Sequence, residues 1–170
     1  PVYIEALRKL QSLGAQWVQI DEPALVLDLR EEYRSASSAA YRDIAAAVPG
    51  LKVLLTTYFD GLRDNTDFVF SLPVAGVHLD LCRGSNQANT QANHADAILD
   101  TALMRAGGKH LSLGIVDGRN IWKNDLSQSL ARIERAMAKL GKEKILVAPS
   151  SSLMHSPVDL SAEKQLDPAI

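Results

Sequence analysis

One cysteine, Cys82, in 170 residues leaves no partner for an internal disulfide. A chain without a disulfide framework fits a reducing compartment. No apolar run approaches the roughly 18 residues of a membrane-spanning helix, and no basic-then-apolar leader opens the chain; the expected location is the cytoplasm, with no membrane partner. Basic charge is not in excess either, with 18 Lys and Arg against 20 Asp and Glu and a net charge of -2. That balance gives a phosphate backbone nothing to bind, so no nucleic-acid partner is expected. A glycine-rich phosphate loop is missing, because Gly107-Gly108 precedes a strand and Gly84-Ser85 lacks the third glycine and the lysine. Ser150-Ser151-Ser152 lacks the flanking glycines of a nucleophile elbow and reads as a polar loop. The histidines His78, His94, His110 and His155 are scattered without the close spacing of zinc ligands, and no metal site is expected. His94, on a polar helix, and His110, before a strand, read as solvated. Cys82 reads as a packing residue at a strand end, with Arg83 beside it lowering its pKa.

What is present is 46% hydrophobic sequence, enough for one buried core. Ile4, Leu7, Leu10 and Leu13 recur at helical spacing and stop at Gly14. Trp17 to Ile20 then reads as a short strand, ended by Asp21-Glu22-Pro23 because proline cannot donate to a ladder. An alanine-rich helix over 31–48 closes at Pro49-Gly50, and a buried strand follows over 51–58. The same alternation gives a weaker helix over 62–72, a strand over 76–81, a helix over 92–106 and a strand over 111–116. Leu126, Leu130, Ile133, Met137 and Leu140 make the cleanest helical stripe, ending at Gly141, before a fifth strand over 144–148. Five short strands alternating with helices predict an α/β fold with parallel strands buried on both faces and right-handed crossovers. The pattern fits a portion of a TIM (β/α)8 barrel, which needs eight such units. A doubly wound sheet of five strands is the competing topology.

In either architecture the functional edge is the carboxyl end of the strands. Those ends carry Asp21 and Glu22, Thr56 and Thr57, Asp80, Asp117 with Arg119 and Asn120, and Ser150 to Ser152 with His155 beyond. Strand alternation puts Gln19 with Asp21 on one face, and His78 with Asp80 on one face, both aimed into a barrel. Asp21, Asp80, Asp117 and Arg119 are therefore the candidate substrate-binding residues. The structural alternative is that the carboxylates cap helices or bind loop amides, the default reading of Asp117 before Gly118.

The string Gly14-Ala15-Gln16-Trp17-Val18-Gln19-Ile20-Asp21-Glu22-Pro23-Ala24-Leu25 resembles the N-terminal domain of cobalamin-independent methionine synthase. Leu55 to Phe59, Gly76 to Leu81, Leu113 to Trp122 and Ala148 to His155 resemble the same family, in the same order, so nearly the whole chain is covered. The resemblance implies a two-barrel methyltransferase of methionine biosynthesis that moves a methyl group from methyltetrahydrofolate polyglutamate to homocysteine, without cobalamin. Zinc in the C-terminal barrel of such an enzyme activates the homocysteine thiol. Set against that catalytic barrel, this chain has Thr57 and Phe59 at the His-x-Cys pair, Asp80 at the zinc-binding glutamate, Ser151 at the last cysteine and Arg119 at the catalytic histidine. What survives is Gln19 to Pro23, whose aspartate in the catalytic barrel helps hold the homocysteine amino acid group. The basic residues that reach the folate tail lie upstream of the matched segment in this family.

The resemblance thus assigns residues 1–170 to the C-terminal part of the N-terminal barrel, with no catalytic residue, no metal ligand and no cofactor of its own. Both ends read as cut, since the chain enters a helix without an initiator methionine and stops near Leu166 as a further helix begins. A scaffold inactive alone is expected, partnered by the C-terminal catalytic barrel of the same chain. The rival readings are a stand-alone barrel that binds a small amino acid or acid, and a non-catalytic interaction module. An open portion of a barrel also exposes sheet edges, which predicts self-association.

Overall fold

In the computed structural model, which describes residues 2–82, 91–159, 161, 164–165 and 167, five parallel strands lie in the order β1-β2-β3-β4-β5. They are β1 (Trp17–Asp21), β2 (Lys52–Thr56), β3 (Gly76–Asp80), β4 (His110–Val116) and β5 (Ile145–Pro149). The helices between them are α1 (Val2–Ser12), α2 (Glu31–Ala47), α3 (Thr66–Ser71), α4 (Gln91–Arg105) and α5 (Leu126–Leu140). Strand order follows chain order without the reversal that defines a doubly wound sheet. The sheet is a curled half-barrel with helices on its convex side.

Local chemistry accounts for the element ends. Glu31 and Glu32 sit in the first turn of α2, where carboxylates oppose the positive helix end. Val48 leaves the helical region ahead of Pro49, whose ring disfavours α geometry in the residue before it. Asp125 caps α5 by accepting from the Gln128 N–H at 3.0 Å, and Gly141 ends the helix at φ +87°, which a side chain would resist. The weak helix expected over 62–72 is shorter, a 3-10 turn at Arg63–Asn65 followed by α3. The strand expected over 51–58 stops at Thr56, because the Thr57 N–H and Oγ1 both turn to the His78 carbonyl.

Parallel register arranges the two faces in rows. Ile20, Leu55, Val77 and Leu111 form one row toward the helices, where they meet Leu7 of α1, Ile44 of α2, Val69 of α3 and Leu99 of α4. Full burial of each such side chain contributes about 1.5–3 kcal/mol. On the concave side Asp21, Thr56, His78 and Ser112 form a single row across four strands. All five residues of β3 are buried, as expected of a central parallel strand. The outer strands depart from that expectation: β1 keeps Gln19 and Asp21 exposed, and β5 keeps Leu146 and Val147 exposed. The cleanest apolar stripe also departs, since Leu126, Leu130 and Met137 of α5 are exposed while Ala136 and Ser129 carry its burial. Both departures fall at the two edges of the sheet, where β1 and β5 are the outermost strands among the described residues.

Candidate functional site

The carboxyl ends of β1 to β5 converge on one rim of the half-barrel, and the loops leaving them carry most of the polar contacts of the concave side. Asp21 closes β1 with an exposed carboxylate, which accepts from Gln19 Nε2 at 2.7 Å and from the Tyr58 hydroxyl at 3.4 Å. Burial and the Asp21 charge together raise the Tyr58 pKa, keeping the phenol a donor. Its neighbour Glu22 faces the other way, accepting from Tyr33 at 3.3 Å and from the buried Tyr41 at 3.4 Å, and so ties the end of β1 to α2.

Deeper in the row, His78 is buried between two partners. Its Nδ1 lies 2.8 Å from Ser112 Oγ and its Nε2 lies 3.3 Å from the Ser150 carbonyl. A carbonyl only accepts, so Nε2 carries the proton and Nδ1 accepts from the serine. Burial lowers the His78 pKa, against weaker opposing effects of the Ser150 carbonyl and Asp21. Beside it the Thr56 hydroxyl, 6% exposed as a residue, is shielded and has no hydrogen-bond partner among the described residues.

Asp80, 1% exposed, works as a pin. Oδ2 accepts the Phe59 N–H at 3.0 Å and Oδ1 accepts the Cys82 N–H at 2.9 Å, binding the loop after β2 to the loop after β3. Phe59 is held at φ +81°, a left-handed conformation unfavourable for a bulky residue. Its half-exposed ring meets Tyr58 edge-on at 4.6 Å and carries the Arg119 guanidinium 4.6 Å above it. Asp117 accepts from the Arg119 N–H at 2.8 Å and from Asn120 Nδ2 at 2.7 Å, the loop-amide role open to an Asp-Gly pair. The four candidates therefore divide. Asp21 and Arg119 present charge to solvent at two ends of a contact chain through Tyr58 and Phe59, whereas the carboxylates of Asp80 and Asp117 are engaged by main-chain amides.

Several sequence expectations are corrected here. The serine run does lie in a loop after β5, but it is not solvated, since Ser150 and Ser151 are buried and Ser150 Oγ accepts the Gly118 N–H at 3.2 Å. Gly118 is needed at that approach, because a Cβ there would lie 2.6 Å from the Ser151 carbonyl oxygen. Cys82 keeps its packing role, with its thiol 3.4 Å from the Gly114 carbonyl, but its pKa is not lowered. Burial, then the charges of Asp80 and Asp117, push it up to about 12. Arg83, the expected cause of a lowered value, lies outside the described residues, as do the His155 side chain and Leu166. His94 and His110 are half-buried instead of solvated: His94 Nε2 is shielded without a partner among the described residues, and His110 stacks edge-on against Trp17 at 4.9 Å with Nδ1 3.3 Å from the Ala75 carbonyl.

Sequence reasoning missed Asn65, which is buried and donates from Nδ2 to the Leu25 and Leu27 carbonyls, each at 2.8 Å, while its Oδ1 accepts from Arg34 at 2.7 Å. An asparagine inside a weak helical pattern gives no sequence signal of that role. A cleft of about 260 Å³ lies beside the rim, between Cys82, Asp117 and Asn120 on one side and Asp125, Ser129 and Arg132 of α5 on the other. Among the described residues no group of three or more His, Cys, Asp or Glu side chains is arranged to hold a metal ion. Among them, too, no helix is long and apolar enough to cross a membrane.

Sequential parallel strands, convex helices and a polar rim at the strand carboxyl ends define a portion of a TIM-type (β/α) barrel. The family described as the N-terminal domain of cobalamin-independent synthase matches residues 1–141, and the chain belongs to that family. It is 50% identical over 170 residues to a 5-methyltetrahydropteroyltriglutamate–homocysteine methyltransferase of Rhodopseudomonas palustris, covering 99% of this chain and 20% of the relative. The Candida albicans protein of the same name is 46% identical over 171 residues, covering 100% of this chain and 21% of the relative. The chain thus spans about a fifth of the length of the curated relatives it matches. A solved B12-independent methionine synthase from Shewanella, in complex with selenomethionine, superimposes with a TM-score of 0.62 at 12% identity, over 88% of this chain and 45% of that one. That likeness carries the fold alone.

Proposed function

We propose that this chain is the C-terminal part of the N-terminal barrel of a methyltransferase that moves a methyl group from 5-methyltetrahydrofolate polyglutamate to homocysteine, forming methionine in the cytoplasm. The observation that carries the reading is the 50% identity maintained over 170 residues with a relative named for that reaction. Within the whole protein the chain is scaffold, and its partner is the C-terminal catalytic barrel. Folate and homocysteine are the substrates of the whole enzyme, and zinc belongs to that other barrel.

The geometry of the rim supports the division of labour. At the positions resembling the zinc ligands of the catalytic barrel, Thr57 Oγ1 donates to the His78 carbonyl at 2.9 Å, the Phe59 ring lies under Arg119, and Asp80 accepts two amides. These residues do not fit zinc, since the hydroxyl and the carboxylate are already committed and a phenyl ring supplies no lone pair. No step of the chemistry is routed through them. Asp21 and Arg119 are the two candidates left to act at the rim, as contacts for a charged group brought by substrate or by the facing barrel.

Methyl transfer from methyltetrahydropteroyltriglutamate to homocysteine, measured on the full-length gene product and on the 170-residue chain, tests the proposal. Activity of the full-length protein with none from the chain alone supports it. Turnover by the chain alone, or an inactive full-length protein that binds zinc, overturns it.

A further inference from the structure

A second cleft, of about 200 Å³, lies in the helical layer between α3 and α4 and opens to solvent on one side. Helical spacing turns His94, Ile98, Thr101 and Ala102 of α4 toward it. The short side chains at 97, 101 and 102 leave unfilled the space that longer apolar residues would take. The walls are apolar, built from Leu62, Phe70, Leu79 and Ile98. The loop after β2 closes one end. A Cβ added at Gly61 would lie 2.7 Å from Ile98 Cδ1 and 3.6 Å from His94 Nε2, so bare main chain passes directly over that ring nitrogen. In the same loop Arg63 is held at φ +47°, a left-handed conformation of the kind that clusters at ligand clamps.

Polar groups around the cleft are satisfied, with one exception. The hydroxyls of Thr66 and Thr101 donate to the Arg63 carbonyl at 2.7 Å and the Ala97 carbonyl at 2.8 Å. Nearby charges pair with one another, Arg63 with Asp60 and Arg105 with Asp67, which leaves no charge to spare for a ligand. The exception is His94 Nε2, which is shielded and has no hydrogen-bond partner among the described residues. A shielded ring nitrogen without a partner costs free energy, and a ligand that supplies one recovers it.

We propose that this cleft binds a small neutral aromatic alcohol, its ring between α3 and α4 and its hydroxyl on His94 Nε2. Size sets the limit of one ring with a small substituent, because an apolar cavity of about 150 Å³ takes benzene and pockets for drug-sized ligands begin near 300 Å³. Phe70 in the wall favours a ring over a branched alkane, since aromatic pairs gain beyond the area they bury. Nε2 donates in one tautomer and accepts in the other, and a hydroxyl does both, so it meets either form. A carboxylate or an ammonium group would enter an apolar cleft without a counter-charge. Every wall comes from residues between 61 and 102, so the outermost strands of the sheet play no part. The site is independent of the methyl-transfer reading.

Ligand-observed NMR titration of the full-length gene product with p-cresol, toluene and 4-methylbenzoate tests it. The expected dissociation constant for p-cresol is on the order of 0.1 to 1 mM, as about eight non-hydrogen atoms allow. Toluene should bind about fivefold more weakly for want of the hydrogen bond, and 4-methylbenzoate should not compete. His94→Leu, close to histidine in volume, should reduce the preference for p-cresol over toluene to less than about twofold while toluene still binds. Ala97→Phe, at an exposed helical position that lines the cleft, should abolish binding of both by filling it. No binding of p-cresol at roughly ten times that concentration, equal affinity for toluene, or p-cresol binding indifferent to both substitutions would each overturn the proposal.

Discussion

Replacing Asp80 by alanine should unfasten the rim. The carboxylate accepts the main-chain N–H groups of Phe59 at 3.0 Å and Cys82 at 2.9 Å, and the residue is 1% exposed, so water does not take its place freely. A buried donor left without a partner costs about 1–3 kcal/mol, and two are left here. Against that, Phe59 would be free to leave φ +81°, a conformation that stores roughly 1 kcal/mol or more. The net expected loss is about 2–4 kcal/mol. Asp80→Asn keeps one acceptor oxygen and turns an NH2 toward the other donor, so it should lose at least half as much. Urea denaturation followed by far-UV circular dichroism reads both values, with an unchanged slope showing that the denatured state is the same. An Asp80→Ala loss below about 1 kcal/mol would refute the claim that this carboxylate pins the two loops.

Acidification should weaken the fold through His78. Its folded pKa lies below the 6.5 of a free histidine, so just below that pH the unfolded chain binds more protons and stability rises with pH. The stability is complete above about pH 6.5 and is lost as pH falls toward the native value, and His78→Gln should flatten that part of the urea-midpoint profile. The Cys82 thiol, pushed up to about 12, should react with an aromatic disulfide reagent near neutral pH at least roughly tenfold more slowly in the native chain than in urea. Equal rates in the two states would contradict its placement. Asn65→Ala should cost about 2 kcal/mol by freeing the Leu25 and Leu27 carbonyls, and a melting temperature within a degree of the parent would count against that tie.

Short-range pattern alone determined the five-fold alternation of strand and helix. Proline at 23 and 49 and glycine at 14 and 141 marked element ends, because their backbone restrictions act within a residue or two. Strand alternation likewise placed His78 and Asp80 together on the concave face, since period two is a property of the extended chain itself. The family, too, was legible in ordered motifs. Only the tertiary structure decided what those residues do. Asp80 is a loop pin because Phe59, 21 positions away, brings its amide there, and His78 is held neutral by burial, with its tautomer set by the carbonyl of Ser150, 72 positions away. The same long-range dependence left the apolar stripe of α5 half uncovered: periodicity announces which face seeks burial, but burial requires a neighbour, and β5 is the last strand of the sheet among the described residues.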